Sequence, residues 1–99
     1  MDITVQELKQ KLDAGENFVF LDVREQWEHA EANLGARLIP LAMLPSIIPE
    51  LAAHKDDEIV IHCRSGARSG VAQAMLQAQG FKNVRNLTGG ILAWQSAQF

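Results

Sequence analysis

Ninety-nine residues with a 47% hydrophobic and 21% charged make-up suit one soluble domain over residues 1–99, with no room for a second core. A formal charge of -3 lacks the Lys/Arg excess that nucleic-acid binding needs, and no apolar run approaches the roughly 18 residues of a membrane span. One cysteine excludes an internal disulfide and a multi-thiolate metal site, and His29, His54 and His62 show no metal-ligand spacing.

The opening stretch, Met1-Asp2-Ile3-Thr4-Val5-Gln6-Glu7-Leu8, lacks the basic and apolar segments of a signal peptide, so a reducing, cytoplasmic setting is expected. Within it, Thr4 and Glu7 have the spacing of a capping box. Val5, Leu8 and Leu12 follow at helical spacing, and Gly15 ends the segment. Phe18-Val19-Phe20-Leu21 is a short apolar run, as expected of a strand buried on both faces, closed by Asp22. Arg24–Ala32 predicts a short helix, and Ala36–Leu41 an extended stretch closed around Pro40.

Pro45–Ala53 suits a helix with proline in its first turn. Lys55-Asp56-Asp57 is a polar turn before a second buried strand, Glu58–His62. Gly66–Gln79 is the strongest helix, with Val71, Ala74, Met75 and Ala78 on its apolar face and Gly80 as its stop. Val84–Leu87 predicts a last strand, and Gly89-Gly90 opens a final helix containing Leu92 and Trp94. Alternating strands and helices predict an α/β fold around a largely parallel sheet with both faces covered. In such sheets ligands bind beyond the carboxyl ends of the strands, and both Asp22 and Cys63 fall there.

The chemistry concentrates in Cys63-Arg64-Ser65-Gly66-Ala67-Arg68-Ser69. A buried strand delivers a lone cysteine to a tight loop, and a helix starts at once. Loop amides and the positive helix end would then face the sulfur and favour its anion. Gly66 lets the backbone curl, and Arg64 and Arg68 supply donors suited to an oxyanion. A lone cysteine after a strand is ordinarily a small buried hydrophobe, and arginines early in a helix ordinarily face water. A structural cysteine, however, needs neither the glycine nor two arginines, so the reactive reading prevails.

This loop resembles the active-site loop of the rhodanese superfamily, Cys-x-x-x-x-Arg between a strand and a helix. Three further segments resemble that family in the right order: Leu21-Asp22-Val23-Arg24-Glu25-Gln26-Trp27-Glu28, Gly35–Leu41, and Val84-Arg85-Asn86-Leu87-Thr88-Gly89-Gly90-Ile91-Leu92-Ala93-Trp94. The chain departs from the pattern at Glu31-Ala32-Asn33, where the family commonly has Gly-His-Ile. The resemblance implies a rhodanese-like, five-stranded parallel sheet with helices on both faces. It implies sulfur transfer through a Cys63 persulfide, from thiosulfate or another sulfane-sulfur donor to cyanide, a small thiol or a protein thiol. Amides from Arg64 to Ser69 would bind the persulfide, with no metal or other cofactor.

Asp22 and Arg24 fit either an ion-pair network beneath the loop or a strand-end cap with an exposed arginine. His62 is expected to pack, because adjacent strand residues point to opposite faces. His29 and His54 suit the surface, Trp27 and Trp94 the core or its rim, and Met43-Leu44-Pro45 and Ile47-Ile48 packing. Two other functions fit the same fold: a catalytically weak binding or regulatory module, and a cysteine phosphatase or arsenate reductase. Modules of the first kind usually lack the cysteine. Phosphatases resembling the fold use a longer Cys-to-Arg loop than the four intervening residues here, and arsenate reduction would need an external resolving thiol.

Overall fold

The computed structural model describes residues 2–99; Met1, part of the opening stretch, lies outside the described residues. The capping box forms: the Glu7 amide donates to Thr4 Oγ1 at 3.1 Å, and the Thr4 amide donates to Glu7 Oε1 at 3.0 Å. Helix α1 (Val5–Asp13) follows, burying Val5 and Leu8. Strand β1 (Val19–Asp22) leads to α2 (Gln26–Glu31) and the two-residue β2 (Arg37–Leu38). Strand β3 (Glu58–His62), helix α4 (Ala67–Ala78), strand β4 (Asn83–Asn86) and helix α5 (Gly90–Ala97) complete the order.

The strands form one parallel sheet in the order β2-β1-β3-β4. Four strands, not the expected five, make up the ladder. The N-terminal segment contributes a single bridge, Ile3 to Leu87, because Thr4 caps α1 and the chain turns helical at Val5. Along β3 the period of two is plain. Ile59 and Ile61, with Cys63 beyond, join a cluster with Leu44, Leu51, Ala72 and Leu76 on one face. Val60 joins Ile3, Val5, Leu8 and Leu87 on the other, with Trp94 against them. β1 is buried only at its end, at Leu21 and Asp22; Val19 and Phe20 are half-buried.

Two helices differ from expectation. The Pro45–Ala53 segment is a short α3 (Leu44–Ile47) between 3-10 turns at Leu41–Met43 and Ile48–His54. Pro49 has no N–H to give the Pro45 carbonyl, so an α-helix cannot run through it. In α4 the buried face is Ser69, Ala72 and Leu76, while Val71 is 52% exposed. The helix is rotated by about one residue from the predicted apolar face, because its first turn delivers Ser69 to the cysteine loop. At the departure from the rhodanese pattern, α2 ends on extended Ala32, and Asn33 spans the turn: Nδ2 donates to the His29 carbonyl and Oδ1 accepts from the Gly35 amide. Among the described residues no helix is long and apolar enough to cross a membrane.

Candidate active site

The carboxyl ends of β1, β3 and β4 open onto one edge, and Cys63 lies there directly after β3 with 1% exposure. Gly66 caps α4 at φ +112°, a left-handed conformation that glycine adopts without a Cβ penalty. That curl brings the Gly66 amide to 3.1 Å from Cys63 Sγ, and the Ser69 hydroxyl reaches the same sulfur at 3.3 Å. Burial pushes the Cys63 thiol up, but the Ser69 hydroxyl and the amides of Ser69, Gly66 and Ser65 outweigh it, so its pKa lies below the ordinary thiol value. The positive end of the 12-residue α4 adds to the same effect.

A second helix holds the loop from below. The first amides of α5 have no partners within their own helix. Ile91 N–H donates to the Cys63 carbonyl at 3.0 Å, and Leu92 N–H donates to the Arg64 carbonyl at 3.2 Å. With those carbonyls turned down to α5, the following amides are free to face the sulfur. Gly90 makes the approach possible: a Cβ there would lie 2.4 Å from the Arg64 carbonyl oxygen and 2.6 Å from the Cys63 carbonyl oxygen.

The two arginines of the loop behave differently. Arg68 forms a two-pronged pair with Glu28 of α2, at 2.7 and 2.9 Å. The Arg68 guanidinium holds the Glu28 carboxyl down to about 2. Arg64 is exposed and forms no ion pair among the described residues. It borders a cleft of about 170 Å³ with Trp27, Glu28, Ile91, Leu92 and Gln95. Ser65 and Ala67 are exposed, while Ser69 is fully buried.

Beneath the loop, Asp22 and Arg24 form a buried ion pair, with Arg24 only 4% exposed. Arg24 Nη2 lies 2.8 Å from Asp22 Oδ2, and its Nε 3.0 Å from Oδ1. The same guanidinium donates to the carbonyls of Glu28 and Ala32, tying β1 to the end of α2. His29, expected at the surface, is half-buried instead, its Nδ1 2.9 Å from Asp22 Oδ2. Burial raises the Asp22 carboxyl, but the Arg24 and His29 hydrogen bonds prevail and hold it at about 2. His62 Nδ1 donates to the Cys63 carbonyl at 3.3 Å, not to the sulfur, and burial pushes its pKa down. His54 is exposed and hydrogen-bonds Asp57. Trp27 lies at the rim, 66% exposed.

Residues 4–97 match the family of rhodanese-like domains. The chain belongs to that family. A sulfurtransferase of Allochromatium vinosum is 39% identical over 94 residues, spanning 94% of this chain and 86% of that protein. A solved rhodanese-like domain protein from Staphylococcus aureus superposes with a TM-score of 0.82 at 34% identity, covering 95% of this chain and 91% of its own. The human single-domain sulfurtransferase gives a TM-score of 0.84 at 26% identity, over 96% and 95% of the two chains. Some relatives are larger. An adenylyltransferase and sulfurtransferase of Zea mays is 35% identical over 98 residues, of which this rhodanese-like domain spans 20%.

Three contributors to the site went unnoticed in the sequence. Glu28 and Gly90 stand inside the motifs that carry the resemblance, and their motifs were the available signal. Asn86, whose side chain contacts both Gly66 and Ser69, is polar at a strand end and stands in the same C-terminal motif as Gly90.

Proposed function

We propose that this rhodanese-like domain is a sulfurtransferase that carries sulfur as a persulfide on Cys63. The observation that supports it most is the set of donors converging on one buried sulfur, Gly66 N–H and Ser69 O–H, with no base hydrogen-bonded to it among the described residues. This is a site for stabilising a sulfur anion rather than for moving a proton. The Cys63 thiolate attacks the outer sulfur of thiosulfate or a similar sulfane donor. An S–S bond forms to Cys63, the donor's S–S bond breaks, and sulfite leaves with the electron pair. A nucleophilic acceptor then attacks the outer sulfur: cyanide in assay, or a small or protein thiol. The Cys63–sulfur bond breaks and the thiolate returns. Arg64, at the edge of the cleft, attracts the anionic donor, and the amides of Arg64 to Ser69 cradle the added sulfur. Arg68 anchors the end of the loop through Glu28, and Asp22 with Arg24 supports it from below. An Arg68 already engaged by a carboxylate is poorly placed to clamp a phosphate, which weighs against phosphatase chemistry.

Thiosulfate:cyanide transfer by the purified protein, beside Cys63→Ser, tests this, with intact mass recorded after thiosulfate alone. Turnover in the native protein only, with one sulfur atom added to Cys63, is expected. No added sulfur from thiosulfate or other sulfane donors would reject it in favour of a binding module, and aryl phosphate hydrolysis would favour a phosphatase.

A further inference from the structure

The Ser69 hydroxyl has one proton and two acceptors. Its oxygen lies 2.6 Å from Asn86 Oδ1 and 3.3 Å from Cys63 Sγ. The orientation of the Asn86 amide follows from its other contact, since Nδ2 donates to the Gly66 carbonyl at 3.0 Å. Oδ1 therefore meets the hydroxyl as an acceptor. Asn86 ends β4 opposite Ile61 of β3, which places it at the strand edge where the loop departs.

We infer that Asn86 is a positioning residue that competes with the Cys63 sulfur for the Ser69 proton while it pins the Gly66 carbonyl. A neutral thiol is a weak acceptor, so the proton then rests on Asn86. An anionic sulfur, thiolate or persulfide, makes a charge-assisted bond and draws the proton over. Only the hydroxyl hydrogen turns; no heavy atom has to move. The competition limits how firmly the sulfur anion is held. That matters because a thiolate loses nucleophilicity as its proton affinity falls.

The inference rests on Cys63 as the sulfur-carrying group, but its test needs no turnover. The chain has one cysteine and no tyrosine, so the ultraviolet absorbance of a thiolate, followed against pH, reports Cys63 without interference from tyrosinate. Ser69→Ala is made in three backgrounds: native, Asn86→Ala and Asn86→Asp. Arg64, Arg68, Glu28, His62, Asp22 and Arg24, charged and titratable groups around the loop, are common to all three. Comparing within each background also cancels the charge that Asn86→Asp adds.

With no competitor, Ser69→Ala should lower the thiolate fraction at a fixed pH below the midpoint by about tenfold, the worth of one charge-assisted hydrogen bond. The native background should give about threefold, and Asn86→Asp, which keeps the hydroxyl, less than about twofold. Equal losses in all three backgrounds, or the largest loss in Asn86→Asp, would overturn the inference. If Asn86→Ala fails to fold by circular dichroism, the native and near-isosteric Asn86→Asp backgrounds carry the comparison. Failure of Cys63 to take up sulfur would remove the proposed function and leave this titration readable. Equal Ser69→Ala losses would remove the role of Asn86 and leave sulfur transfer intact.

Discussion

Gly90→Ala tests whether the cysteine loop depends on its close contact with α5. Gly90 has φ +59°, and a Cβ there would meet the Arg64 carbonyl oxygen at 2.4 Å, against about 3.4 Å for ordinary contact. The neighbours are backbone atoms, so the loop and helix must separate by about 1 Å. Left-handed backbone at a non-glycine residue costs about 1–2 kcal/mol. Weakening the two bonds from Ile91 N–H and Leu92 N–H adds roughly 1 kcal/mol each. A total of about 3–4 kcal/mol would lower the melting temperature by roughly 12 °C or more in a domain this size. Under the proposed persulfide chemistry, a 1 Å displacement of the Cys63 sulfur should also cost on the order of a hundredfold in rate. Gly15→Ala is the control: Gly15 has φ +66° but nothing within 4 Å of its Cβ, so it should lose only about 1–2 kcal/mol. Thermal denaturation and sulfur loading of both variants check the difference. A Gly90→Ala protein no less stable than Gly15→Ala, loading sulfur at the native rate, would refute the close-contact account.

Asp22→Ala leaves the buried Arg24 guanidinium without its carboxylate, which should cost about 3 kcal/mol, measured by urea denaturation near neutral pH. Asp22 is held at about 2 in the fold, so its contribution is complete above the unfolded carboxylate value and is lost as pH falls towards 2. The acid fall in native stability should flatten in Asp22→Ala, and an unchanged acid limb would refute this. Arg64→Ala should change stability by no more than about 0.5 kcal/mol, since the side chain is exposed and unpaired. It should raise the KM for thiosulfate by about tenfold, an effect that weakens at high salt; an unchanged KM would place anion recognition elsewhere.

Much of this protein was legible because the deciding contacts lie between near neighbours in the chain. Thr4 and Glu7 cap α1 across three residues, and Ile59 to Ile61 announce a strand by their apolar run. Cys63 to Arg68 carries its own turn chemistry, with Gly66 supplying the left-handed residue that aims an amide at the sulfur. Pro49 was legible too, as a break in the helix predicted through it.

Tertiary structure decided the rest, because those contacts join residues that only folding brings together. Arg64 and Arg68 look alike in the sequence, yet Glu28, 40 residues away, takes one and leaves the other at the cleft. The rotation of α4 depends on where Ser69 meets the sulfur, and small and apolar residues around the helix allow more than one buried face. The N-terminal segment yields one bridge rather than a strand because the local helix start competes with sheet pairing and wins. Asn86 acquires its two partners, Gly66 and Ser69, only when β4 lies beside β3. The sequence by itself thus determined that the chain's one cysteine sits in a tight loop after a buried strand, and on which sheet edge it lies. The folded chain decided which groups hold that atom, since hydrogen bonds and ion pairs depend on distances that sequence separation does not encode.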